Sequence, residues 1–317
     1  VMLGRLVNDV LKDRPPSYPW GSTFEVLKRA DGRICNLESV LSDRGEPWSA
    51  TPKAFHFRSD AKNIEVLKVA KINAVALANN HALDFGHQAL TDTLGLLDKA
   101  GIAHVGAGRN LEVASQPAVV NFGKLKLAML AITDNEPAWA ATQNQPGIWH
   151  VPIDRKDSRA QQLFNAIRKA KTNFDLVVVS AHWGGNWGYE PEPEQLPFAH
   201  YLIKAGADII FGHSPHVVRG IEIYQGQPIL YSAGDFVDDY AVDEAERNDE
   251  SFIFLVDYDG NQPLQLRLIP TMIANFQAQL AKFSQAEAIA KKMQRLCQQL
   301  GTEAIWNTDS HQLHIAV

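Results

Sequence analysis

The chain has 317 residues, 45% of them hydrophobic, enough for one large buried core or two modest ones and too apolar for a disordered protein. Its 30 basic residues against 36 acidic ones give a net charge of -6, which excludes a partner chosen by bulk attraction to phosphate backbones, so no nucleic acid is expected. The two cysteines, Cys35 and Cys297, make neither a disulfide framework nor a cysteine-rich metal site, and no apolar run approaches the roughly 20 residues that cross a bilayer.

In chain order, Val1 to Arg5 reads as the end of a buried strand and its turn, so we expect chain before Val1, and the compartment is left open. Residues 60–70 carry Ala61, Ile64 and Leu67 at helical spacing, and 74–78 form a buried strand. Residues 88–100 read as a helix with Leu90, Leu94 and Leu97 on one face and Gly101 as its stop. A strand at 125–132, a helix at 159–170, a valine-rich strand at 175–180 and a helix at 194–205 continue the alternation. Shorter strands are expected at 208–211, 221–224, 228–231 and 252–256, with turn signals at Gln225-Gly226 and Asp259-Gly260 that indicate antiparallel pairing. Residues 277–300 read as one long helix and 313–317 as a last edge strand. This is the pattern of an α/β protein with mixed sheets, without repeat or linker.

Polar and metal-capable residues cluster just after the apolar strands, where open α/β sheets bind ligands. The clusters are Asn36-Leu37-Glu38; Asn79-Asn80-His81 followed by Asp84; Ser180-Ala181-His182-Trp183-Gly184; Gly212-His213-Ser214-Pro215-His216; and Gly234-Asp235-Phe236. Glu38 could bridge cations or open a surface loop. Asn80 can offer a metal an oxygen, and His81 can protonate a leaving group. Two histidines three apart around a proline, His213 and His216, suit a first-row divalent metal. Asp235 could orient a ligand histidine or cap a helix. Of the 11 histidines, His81, His182, His213 and His216 all fall at strand ends.

These motifs, with Val1-Met2-Leu3-Gly4-Arg5 and Gly106-Ala107-Gly108 in the same order, resemble the CapA, or poly-γ-glutamate capsule biosynthesis, family of the metallophosphatase-like superfamily. The resemblance covers residues 1 to about 270, and we take 1–270 as the CapA domain, with 271–317 packed on it as a helix and edge strand. It implies a four-layer α/β/β/α sandwich with two mixed sheets and two divalent cations, manganese, iron or zinc, held between strand-end loops. By motif, Glu38 is the bridging carboxylate, Asn80, His182, His213 and His216 are metal ligands, and His81 is the adjacent catalytic group, with Asp84 beside it. The family's first motif carries an aspartate before the residue matching Val1, and many relatives have asparagine where Asp235 stands.

The chemistry expected is hydrolysis, in which two cations about 3.5 to 4 Å apart turn a bridging water into hydroxide. The substrate is an anionic small molecule or polyglutamate, a phosphoester or a γ-glutamyl amide. Arg5, Lys53, His56 and Arg58 are candidates for its anionic group, and Trp183, Trp187 and Tyr189 for an aromatic rim. The alternatives are a binding or export role without turnover and metal-assisted proton abstraction.

Overall fold

The computed structural model describes residues 1–317 as an α/β protein with three principal sheets. The first is parallel, β1 (Ile34–Asn36), β2 (Ala74–Ala76) and β3 (Ala103–Val105) in that order. The second holds β4 (Ala118–Phe122), β5 (Leu125–Thr133), β6 (Leu176–His182), β7 (Ile209–His213), β8 (Ile221–Tyr224) and β9 (Gln227–Leu230). Its order is β8-β9-β7-β6-β5-β4, parallel through the centre and antiparallel at both margins. The sequence led us to expect two mixed sheets; only the second is mixed.

The side chains of one strand alternate between two interiors, as the two-residue period requires. On the inner faces, Ala74, Ala76 and Ala78 meet Met129, Ala131 and Val178, so the two sheets share one buried cluster. On the outer face of the first sheet, Val75 and Leu77 pack with Leu67 of α1 (Ile64–Val69) and with Leu90, Leu94 and Leu97 of α2 (Gly86–Ala100). On the outer face of the second, Val177 and Val179 pack with Phe164 of α3 (Ser158–Lys171) and Phe198 of α4 (Gln195–Ala205). The near-continuous apolar run of β6 is what burial on both faces demands.

A third, antiparallel sheet follows: β10 (Glu250–Tyr258), β11 (Pro263–Ala274), β12 (Gln277–Leu280), β13 (Ile305–Asn307) and β14 (Gln312–Ala316). With α5 (Phe283–Gln299) it builds its own core, in which Leu266 and Leu268 meet Ile289 and Met293. Two expectations are corrected here. Gln277 to Leu280 form a strand, because a turn with Asn275 and Phe276 at φ 54° and 61° folds them back on β11 and the ladder overrides their helical propensity. The last strand lies between β11 and β13 and is not an edge. Position 270 falls inside β11. No helix is long and apolar enough to cross a membrane.

Gly106 sits between the first two sheets, against Ala78 of one and Ala131 of the other. Its φ is +85°, and a Cβ there would lie 2.6 Å from the Cβ of Ala78 and 2.8 Å from that of Ala131. Gly106→Ala is expected to cost about 2–5 kcal/mol, the sum of left-handed backbone strain and overpacking. Urea denaturation measures it; an unchanged midpoint would mean that the sheets part without strain.

Candidate metal centre

Five of the parallel strands, two in the first sheet and three in the second, carry polar groups at or just past their carboxyl ends. Glu38 follows β1, Asn80 and His81 follow β2, Asp134 follows β5, and His182 and His213 are the last residues of β6 and β7, paired in register. Glu38, His81, His182, His213 and His216 are all buried.

Glu38 is held by amides. Asn79 donates from Nδ2 to Asn36 Oδ1 at 3.0 Å and to the Leu37 carbonyl, and Asn36 donates in turn to Glu38 Oε2 at 2.8 Å. Asn36 and Asn79 together fix the carboxylate and leave Oε1 free, 4.0 Å from His182 Nε2. Burial raises the Glu38 pKa above the usual carboxylate range, against the opposing pull of His81 and His216.

The histidines differ in what they offer. His182 Nδ1 and His213 Nδ1 share a proton at 2.8 Å, and His213 Nε2 meets Ser180 Oγ at 2.7 Å, so both nitrogens of His213 face protein partners. If His182 donates to His213 and His213 to Ser180, the lone pair of His182 Nε2 is left free. Burial holds both rings neutral, that of His213 at a pKa of about 3. His216 Nδ1 lies 3.0 Å from Asp235, which settles the part of that carboxylate as the orienting group. Burial opposes charge on His216, but Asp235 outweighs it and raises the pKa to about 9.

His81 Nδ1 meets Asp84 Oδ2 at 2.6 Å, and the Phe57 amide donates to the same oxygen. Lys53 is engaged within the protein. Its ammonium, almost buried, donates to the Asn80 carbonyl at 2.5 Å and to Glu136 at 3.2 Å, and lies 3.5 Å from Asp84 Oδ1. His56 and Arg58 are also engaged elsewhere: Phe57 turns to His81, while His56 meets the Trp48 carbonyl and Arg58 the Gly45 carbonyl, both beside Phe85. Trp183 is no rim residue: it is fully buried, stacks on Tyr231 and donates to that residue's carbonyl. Trp187 is the exposed indole of this loop. Arg5 has its guanidinium over Phe55 and Phe57, Nε 3.3 Å from Asp239, and Nη1 buried without a partner.

Two residues were missed. Asp134 follows β5, accepts from Gly184 N–H, and is pushed up to about 6 by burial; a carboxylate directly after an apolar strand was a legible signal. Tyr240, 4.7 Å from the His216 ring, lies in a loop that no local pattern marks.

Whether a cation suits this place is tested by buried atoms without partners. Glu38 Oε1, Asn80 Oδ1 and His182 Nε2 are three such atoms. Each costs on the order of 1–3 kcal/mol if left so. A carboxylate, an amide oxygen and an imidazole suit a first-row divalent ion. As the side chains stand, no three His, Cys, Asp or Glu groups converge at metal-ligand spacing. Glu38 Oε1 and His182 Nε2 stand 4.0 Å apart, Asn80 Oδ1 is the open amide oxygen after the neighbouring strand, and both nitrogens of His213 are taken by Ser180 and His182.

Comparison with known proteins follows the same residues. The family model of the bacterial capsule synthesis protein PGA_cap matches residues 1–240. A probable polyglutamine synthesis accessory protein of Mycobacterium tuberculosis is 34% identical over 306 residues, covering 92% of this chain and 80% of that protein. The capsule biosynthesis protein CapA of Bacillus anthracis is 33% identical over 241 residues, 75% of this chain and 58% of its own length. The PGA biosynthesis protein CapA of Bacillus subtilis is 32% identical over 243 residues, 75% and 61%. The matches thus span less than two thirds of each CapA protein.

Lys53→Met is expected to cost about 2–4 kcal/mol of stability, since it strips Asp84 and Glu136 of a nearly buried cation. Lys12→Met, at an exposed pair with Asp9, should leave the urea midpoint nearly unchanged. Equal urea midpoints for the two variants would return Lys53 to the role of a free substrate ligand.

Proposed function

Since the chain belongs to the bacterial capsule synthesis protein PGA_cap family, we propose that it is a metal-dependent hydrolase of an anionic substrate, a phosphoester or a γ-glutamyl amide, serving capsule or polyglutamate synthesis. The observation that carries this reading is the set of partnerless buried atoms at three strand ends, Glu38 Oε1, Asn80 Oδ1 and His182 Nε2. The fold we assign with it is the four-layer α/β/β/α sandwich of the metallophosphatase-like class. The interior shared by the two sheets and the helices on their outer faces support that assignment.

Glu38, Asn80 and His182 would hold one divalent ion, manganese, iron or zinc. A second would draw on His216 Nε2, with His213 joining only if it releases Ser180. Bound there, such ions supply a water that ionises near neutral pH and offset charge on the oxyanion. The chain's own residues do the rest. His81, held at Nδ1 by Asp84, presents Nε2 as the acid that protonates the leaving group. The Phe57 amide and Lys53 occupy Asp84 from its other sides and keep its acceptor geometry toward His81 fixed. Arg5, steadied between aromatic rings, offers its unpartnered Nη1 to the carboxylate or phosphate of the substrate. A second reading, binding of an anionic polymer without turnover, is favoured by the closed state of His213.

Elemental analysis after loading with manganese, iron or zinc, and hydrolysis of p-nitrophenyl phosphate and γ-glutamyl-p-nitroanilide, test both readings. Glu38→Gln and His182→Ala are expected to lose the metal. His81→Ala should keep it while kcat falls about 10²- to 10⁴-fold. Metal retention with tight polyglutamate binding but no turnover would select the second reading, and a metal-free, inactive wild type would sink the first.

A further inference from the structure

The loop after β6 carries Trp187, whose indole is 45% exposed with its ring centroid 5.8 Å from that of His216. Tyr240 approaches the same imidazole at 4.7 Å, and Phe55, 49% exposed, packs on Tyr240 at 6.0 Å. An exposed aromatic surface therefore borders a polar, buried centre, an arrangement that marks ligand sites.

Each residue of this loop from Gly184 to Gly188 is held by at least one backbone hydrogen bond. Gly184 N–H donates to Asp134, and the Gly184 carbonyl accepts from Ser214 Oγ at 3.1 Å. Gly185 N–H donates to Glu192 at 2.8 Å, and the Asn186 carbonyl accepts from His216 N–H at 2.8 Å. Arg219 closes the set: Nη2 donates to the Trp187 carbonyl at 3.1 Å, Nε to the Gly188 carbonyl at 2.9 Å, and Nη1 to Gln195 Oε1 at 3.0 Å. Its guanidinium is buried, and none of these direct partners is a carboxylate. Burial lowers its pKa against the pull of Glu192 and Glu246, neither of which it hydrogen-bonds, so its place in the fold calls for a reason beyond charge pairing. Holding two consecutive carbonyls is such a reason, because it fixes the backbone from which the indole projects.

We infer that Trp187 is a fixed wall of the site that takes the uncharged planar flank of the substrate, and that Arg219 is its positioning residue. The inference rests on the proposed function for the identity of the site, but one of its readouts is independent of turnover. Trp187 is the single tryptophan among the exposed large apolar side chains, so its oxidation by N-bromosuccinimide can be followed by peptide mass spectrometry.

In the full chain, p-nitrophenyl phosphate should slow Trp187 oxidation at least about twofold while inorganic phosphate, which lacks the ring, does not. Arg219→Met should speed the oxidation and remove the protection, and Arg219→Lys should restore part of it. Trp187→Ala should raise KM for the p-nitrophenyl substrate about 5- to 10-fold, with kcat nearly unchanged and inhibition by inorganic phosphate unaffected. Should Arg219→Met fail to fold, Trp187→Ala and Arg219→Lys carry the decision. Absence of protection in the wild type overturns the wall, and unchanged oxidation in a folded Arg219→Met overturns the positioning role. An inactive wild type that still shows both effects defeats the hydrolase reading alone.

Discussion

The close approach of the two sheets is the constraint on which the rest depends. They meet through Ala74, Ala76, Ala78 and Ala131, with Gly106 between them where not even a methyl group fits. Small side chains shorten the separation of the layers, and close packing makes that separation rigid. The strand ends on the two sheets therefore stand near enough for Glu38, which follows the first, to lie 4.0 Å from His182, which ends a strand of the second. A thicker interior would leave the same residues on the same strands with no shared site.

Within that frame, burial sets the electrostatics. Desolvation raises Glu38 and depresses His182 and His213, and the surrounding polar groups decide which atoms stay open. Asn36 and Asn79 hold one oxygen of Glu38, Asp84 holds one nitrogen of His81, and Asp235 holds one nitrogen of His216. Each supporting group takes one end of a side chain and leaves the other for chemistry. His213 is the exception, with Ser180 and His182 on its two nitrogens. It stands behind His182 in the same way that Asp235 stands behind His216.

The third sheet lies beyond the residues matched by the family model, which end at 240. Its core of Leu266, Leu268, Ile289 and Met293 is joined to the second sheet through Val218, Ile221 and Leu230. Through Val218, which immediately precedes Arg219, this added core also backs the segment that runs from His216 to the guanidinium under the Trp187 loop.

Much of this was legible in the sequence. The period of two in the buried strands and the period of 3.6 in the helices determined the α/β class and the order of elements, and the placing of polar residues after apolar runs marked Glu38, Asn80, His81, His182, His213 and His216. Those are local signals, written in spacing. Three things were not local. The direction of a side chain at a strand end separates Trp183, buried on Tyr231, from exposed Trp187, four residues on. The partner of a charge separates Lys53, held by Asp84 and Glu136, from Arg5, whose Nη1 is free. The pairing of Gln277–Leu280 with β11 turned a helix-forming stretch into a strand. In each case the deciding atom belongs to a residue distant in sequence, and a hydrogen bond or ring contact with it outweighs the few tenths of a kcal/mol, on the order of ordinary helix propensity, that the local chain can express.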